Sequence, residues 1–252
     1  MNRWISFVRK PRRAVIPPGR RVYAIGDIHG RADLLDRLHQ LIAEDAAKRA
    51  PARNTLIYLG DYIDRGPDSR AVIKLAASDF PDGFEKHYLI GNHEALMLGF
   101  LADPLCGPGW QNTSIGGREV LVNFNIEPPS EFAAPEILAE TAAQLNNALT
   151  AEEWRFLKGL KHSHREGHYF FTHAGVRPGV PLEKQKPEDL IWIRGPFLES
   201  DVNFGAVVVH GHSIRREVEF RSNRIGIDTG AYATGKLTCL GLQGTERWLL
   251  QT

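Results

Sequence analysis

The stretch Val22-Tyr23-Ala24-Ile25-Gly26-Asp27-Ile28-His29-Gly30-Arg31 decides how the rest of the chain is read. Its apolar start has the character of a buried strand, and the residues after Ile25 open into a glycine-bounded turn. An aspartate and a histidine therefore stand at a strand end, one residue apart. Side chains two positions apart on extended backbone point to the same side, so Asp27 and His29 can hold one cation between them. Such a pair alone is also an ordinary turn, and the meaning of this one depends on what the later strands deliver.

The next segments repeat the arrangement. Residues 31–50 carry a helical stripe, Leu34, Leu35, Leu38, Leu41 and Ile42, with Asp33 and Asp36 near its start and Lys48 and Arg49 near its end. Residues 55–59 form a second apolar, β-rich run that delivers Gly60-Asp61, then the turn Tyr62-Ile63-Asp64-Arg65-Gly66-Pro67, before a helix over 69–77. Residues 86–90 form a third, delivering Gly91-Asn92-His93-Glu94 ahead of a helix over 95–101. In α/β sheets, ligands gather beyond the carboxyl ends of the strands, where helix amino-termini also point. Three consecutive strand ends bearing Asp, Asn or His imply one shared site.

From 102 to about 165 the pattern changes to helices and loops, read as a helical insertion that walls one side of the cleft, with its Trp and Leu positions assigned to packing. Strands resume at 168–172, delivering His173-Ala174-Gly175, and at 206–209, delivering His210-Gly211-His212-Ser213. Between them lies Trp192-Ile193-Arg194. Runs at 224–228, 237–241 and 247–250 close the chain and read as antiparallel strands. The expected fold is α/β: two packed mixed β-sheets flanked by helices, with a single domain over 21–252.

Composition excludes several classes. The formal net charge of +1 gives no field that would attract nucleic acid. The two cysteines, Cys106 and Cys239, have no zinc-type spacing, which fits free thiols in a reducing compartment. No apolar run approaches the roughly 20 residues of a membrane span, and the expected location is the cytoplasm. Residues 1–20 hold Arg3, Arg9, Lys10, Arg12 and Arg13 among Trp4, Ile5, Phe7 and Val8, and read as a basic arm, loose or resting on a membrane surface or partner. In a cytoplasmic chain the sequon Asn112-Thr113-Ser114 goes unused.

Collected, the strand-end residues are Asp27, His29, Asp61, Asn92, His173 and His212. Carboxylates with several imidazoles suit manganese, iron, zinc or nickel, whereas magnesium and calcium prefer all-oxygen sites. Six ligands accommodate two ions about 3.5–4 Å apart, an arrangement used for in-line displacement at phosphorus. His210, two residues before His212, is read as supporting or structural.

The blocks Gly26-Asp-Ile-His-Gly30, Gly60-Asp-Tyr-Ile-Asp-Arg-Gly66, Gly91-Asn-His-Glu94, His173-Ala-Gly175 and Gly211-His-Ser213 resemble the calcineurin-like metallophosphoesterases, and among them the bacterial and phage phosphoprotein phosphatases. The likeness runs from about residue 22 to the carboxyl terminus, with Ala174 as a small departure. It implies that Asp27 and His29 bind one ion, that Asp61 bridges, and that Asn92, His173 and His212 bind the other. Manganese is foremost as the metal pair. It implies His93 as general acid with Asp64 turning its ring and keeping it protonated. Arg65 and Arg194, with Asn92, would hold the substrate phosphate. The implied reaction is direct in-line attack by a hydroxide bridging the metals on a phosphomonoester, with a serine/threonine phosphoprotein as first substrate. A symmetrical diadenosine tetraphosphatase is the alternative, since those enzymes share all five blocks. A silent phosphate-binding module would lack a bridging, acid or clamp residue, and Asp61, His93 and Arg65 are all present.

Overall fold

The computed structural model describes residues 14–111, 115–130 and 132–252. Alternation along strand β1 (Arg20–Ile25) generates the layers: Val22 and Ala24 belong to one core, Tyr23 and Ile25 to another, and all four are fully buried. A strand buried on both faces must lie between two layers. Strands β2 (Arg53–Tyr58) and β3 (Glu85–Tyr88) run parallel beside β1. Helix α1 (Ala32–Lys48), with Leu35, Leu38 and Ile42 buried, and helix α2 (Ser69–Ala77), capped by the Asp68 side chain on Ala71 N, make the crossovers. Helix α3 (Asn92–Ala102) follows β3.

The second sheet holds β4 (Ser163–Glu166), β5 (Tyr169–Thr172), β6 (Val207–His210), β7 (Glu219–Phe220) and β8 (Arg224–Gly226), in the order β4-β5-β6-β8-β7. Its residues Tyr169, Phe171, Val207 and Val209 share the inter-sheet core with Val22, Ala24, Ile57 and Leu59. Helices α4 (Gly117–Asn123), α5 (Pro135–Ala148) and α6 (Ala151–Gly159) add to the outer layer of the first sheet. Short helices α7 (Pro187–Trp192) and α8 (Gly195–Leu198) cover the second. No helix among the described residues is long and apolar enough to cross a membrane.

Three expectations need correction. The closing strands are not one antiparallel run: β8 lies parallel to β6, whereas β9 (Thr238–Gln243) crosses back to pair antiparallel with β1 and β10 (Glu246–Gln251) pairs antiparallel with β9 at the sheet edge. Burial explains the split, because Leu240 and Leu242 complete the inter-sheet core beside Val22 and Ala24. The helical insertion stops before β4, an edge strand whose polar Ser-His-Arg-Glu text hid it. The arm expected over 1–20 lies outside the described residues up to 13. Ala14 and Ile16 are part of the inter-sheet core, and Ile16 N–H donates to Gly244 O at 2.9 Å. The sequon also falls outside the described residues.

One packing detail has a pH consequence. His39 of α1 is sealed against the sheet with its Nε2 2.7 Å from Tyr58 Oη, and burial depresses it from its ordinary 6.5 to about 4. Between those values the unfolded chain binds the extra proton, so stability falls as pH drops from about 6.5 towards 4, by roughly 3 kcal/mol from this group. Urea unfolding across that window should show the loss, and His39→Leu should flatten the slope. An unchanged slope would contradict the assignment.

Candidate active site

Strand ends of both sheets meet at one crevice. Asp27 and His29 follow β1; Asp61, Asp64 and Arg65 follow β2; Asn92 and His93 open α3 after β3; His173 follows β5; His212 follows β6. Apart from Arg65 and Arg194, every one of the expected site residues is at most 5% exposed. Helix α3 begins three residues earlier than the apolar stripe suggested, at Asn92. Asn92 and His93 therefore sit in its first turn, where free N–H groups favour anions.

Asp61 is the centre. Its Oδ2 lies 3.4 Å from His29 Nε2 and 3.8 Å from His93 Nε2, and its Oδ1 lies 3.4 Å from His173 Nε2. Two groups of ligand-type atoms, His29/Asp61/His93 and Asp61/His173/His212, each lie within 4.8 Å of one another and share Asp61. His29 Nδ1 meets Ile63 O at 2.8 Å and His173 Nδ1 meets Leu59 O at 2.9 Å, which leaves Nε2 of each turned to the site. Asn92 Oδ1 is 2.9 Å from His173 Nε2. Asp27 Oδ2 accepts His212 N–H at 2.9 Å, while Asp27 Oδ1 and His212 Nε2 have no hydrogen-bond partner.

Backbone strain is concentrated here. His29, Asp61, Asp64, Arg65 and His212 all have φ between +47° and +71°, and Asn125 is the one other such non-glycine among the described residues. Strain of this kind costs about 1–3 kcal/mol per residue and persists where surroundings enforce it. Gly91 and Gly211 permit the crowding, since a Cβ at either would overlap the carboxylate of Asp61 or Asp27.

Electrostatics point one way. Burial pushes His29, His93 and His173 well below the usual imidazole value and His212 down to about 3, with Arg194 adding to the fall at His212. Burial likewise raises Asp27, Asp61 and Asp64, reinforced at Asp27 by Asp228 and at the other two by Glu94. Neutral imidazoles and crowded carboxylates, two of their atoms unpartnered, form a donor set suited to divalent cations.

His93 Nδ1 lies 2.6 Å from Asp64 Oδ2, a contact that fixes the orientation of the ring. Burial and the neighbouring His29 and Arg65 weaken the imidazolium, while burial and Glu94 raise Asp64. Arg65 Nη1 donates to His29 Nε2 at 2.8 Å, and its Cζ stands 4.8 Å from the Tyr232 ring centre. Arg194 is exposed at the rim, at the start of α8. His210 stays outside both donor groups, its ring 5.0 Å from that of Phe197.

Several participants escaped the sequence reading. Glu94, fully buried, accepts Asp61 N–H and Gly91 N–H at 2.9 Å through Oε2, and Tyr62 N–H at 2.8 Å through Oε1. Its signal was a Glu three residues after a helix-opening Gly. Asp228, buried just beyond β8, is the charged neighbour that helps to raise Asp27, and it obeys the same strand-end rule that found the others. Trp110, assigned to packing, also donates to Asp64. Glu94→Gln is expected to cost about 3 kcal/mol, because it sets an amide against N–H groups that now share a carboxylate. Chemical denaturation would measure it, and an unchanged midpoint would contradict the role.

The comparisons with known proteins agree with this geometry. Escherichia coli K12 serine/threonine-protein phosphatase 2 is 40% identical over 222 residues, covering 87% of this chain and 91% of that protein. The symmetrical bis(5'-nucleosyl)-tetraphosphatase of Xanthomonas axonopodis pv. citri is 28% identical over 159 residues, 62% of this chain but 40% of the enzyme, so the match spans less than half of that relative. The crystal structure of a cold-active protein-tyrosine phosphatase from a psychrophilic Shewanella superposes with a TM-score of 0.57 at 19% identity, covering 94% and 83% of the two chains, a likeness of fold alone. The family model of the calcineurin-like phosphoesterases matches residues 20–233, a span that holds every residue of the crevice. The chain therefore belongs to the calcineurin-like phosphoesterase family and is a phosphoester hydrolase.

Proposed function

We propose that the protein is a di-metal-dependent phosphomonoester hydrolase whose substrates are phosphoserine and phosphothreonine in proteins. The observation that carries the chemistry is the sharing of Asp61 between two buried donor groups. The substrate assignment is supported by likeness to a serine/threonine-protein phosphatase over nearly the whole of both chains. Asp27 and His29 would hold one ion, Asn92, His173 and His212 the other, and Asp61 would serve both. Two divalent cations, manganese foremost, would supply charge neutralisation and an acidified water there.

The chain's own groups do the rest. Arg65 and Arg194 clamp phosphoryl oxygens with their planar forks, Arg65 leaving His29 Nε2 to do so, and Asn92 assists. His93 donates a proton to the leaving oxygen. The Asp64–His93 pair, when it holds two protons, keeps one on the 2.6 Å bond and one on Nε2. Whichever partner owns the first, Nε2–H remains to be given away, so the depressed imidazole is compatible with an acid.

Side-by-side rates on a phosphothreonine peptide and on diadenosine tetraphosphate, at matched Mn²⁺ after chelation, test the reading. Faster turnover of the peptide is expected. Preference for the dinucleotide would install the alternative, which the Xanthomonas relative favours. No recovery with any first-row ion would overturn the metal mechanism.

A further inference from the structure

Trp110 and Gly116 touch Asp64 and Arg65, neighbours in the turn after β2 that aim the proposed chemistry. Trp110 is fully buried, and its indole Nε1–H donates to both oxygens of Asp64, 3.2 Å from Oδ1 and 3.1 Å from Oδ2. Asp64 Oδ2 is in turn 2.6 Å from His93 Nδ1. Among the described residues Trp110 alone donates to Oδ1. A carboxylate with one oxygen on His93 and nothing on the other can rotate about its Cβ–Cγ bond, and the imidazole would follow; a donor across both oxygens opposes that rotation.

The indole is itself held. A Cβ on Gly117 would come within 2.6 Å of its ring, so glycine lets the backbone close over it, and Phe100 lies 5.3 Å away on another side. One residue earlier, Gly116 has φ +93° and its carbonyl accepts Arg65 N–H at 3.2 Å. Trp110 thus supports Asp64 by side chain, and Gly116 supports Arg65 by backbone.

We infer that Trp110 is a positioning residue, its indole N–H fixing the rotation of Asp64 and, through Asp64, the direction of His93 Nε2 towards the leaving-group oxygen. The inference rests on the assignment of His93 as the acid. It makes the insertion part of the proton-delivery apparatus as well as a wall of the cleft.

Trp110→Phe keeps an aromatic ring and removes the N–H. The reaction is followed on a series of aryl phosphates of rising leaving-group basicity and on a phosphoserine peptide, with metal content measured in each preparation. Poor leaving groups should lose about tenfold in kcat. p-Nitrophenyl phosphate, whose leaving group needs least protonation, should lose least, with KM and metal content unmoved. His93→Ala is the reference and should show the same dependence more steeply. If His93→Ala shows it and Trp110→Phe instead loses rate uniformly or raises KM, the role of Trp110 is overturned. If His93→Ala lacks the dependence, the acid assignment itself fails. Should Trp110→Phe not fold, the indole N–H resonance of Trp110 in ¹⁵N-labelled protein gives a second reading: Asp64→Ala should shift it and speed its exchange, and an unmoved signal overturns the inference.

Discussion

Asp61→Asn is expected to leave a folded protein that retains less than one divalent ion per chain and hydrolyses p-nitrophenyl phosphate about 10³-fold more slowly or worse. The reason is position. Its two oxygens face different histidines, Oδ2 towards His29 and Oδ1 towards His173, each at 3.4 Å. Asparagine preserves the size and one acceptor, yet it removes the only group common to both donor sets and the charge that offsets two cations. Its backbone is held independently, by Glu94 Oε2 on Asp61 N–H, so the turn should survive the change. Metal analysis of dialysed protein beside steady-state kinetics decides the matter. Two ions retained with activity lost would show that Asp61 acts on substrate and not on metal.

His93→Ala is expected to separate the two properties. Its Nε2 is 3.8 Å from Asp61 Oδ2, inside the donor group with His29, so geometry alone could make it a ligand. The 2.6 Å bond from Nδ1 to Asp64, itself buried and held by Trp110, argues for proton delivery. The variant should keep both ions while kcat falls about 10²–10⁴-fold, with the larger losses on alkyl phosphates. If metal content falls together with kcat, His93 is a ligand and the leaving oxygen must be protonated from elsewhere.

The crevice was legible because strand, turn and polar residue recur with a fixed relation: an apolar run ends, and Asp, Asn or His follows within a few residues. That relation places Asp27, His29, Asp61, Asn92, His173 and His212 without reference to tertiary structure, and all six lie buried together. The relation applied as well to Asp228, which stood in a stretch read only as a closing strand. Glu94 was quoted within its block yet carried no role, since a clamp on the N–H groups of Asp61, Tyr62 and Gly91 exists only once two turns are adjacent. Trp110 was hidden for a related reason: an indole in a helical segment has the same text whether or not its N–H reaches a carboxylate 46 residues earlier.

Local text was sufficient to find the residues of the crevice, because residue type and strand periodicity are both written in the chain. The pairing of β9 with β1, the inclusion of Ala14 and Ile16 in the core, and the chain of contacts from Trp110 through Asp64 to His93 depend on packing between segments far apart in sequence. Such contacts are set by which apolar faces can be buried together and which buried polar atoms then find partners, and only the assembled layers resolve that choice.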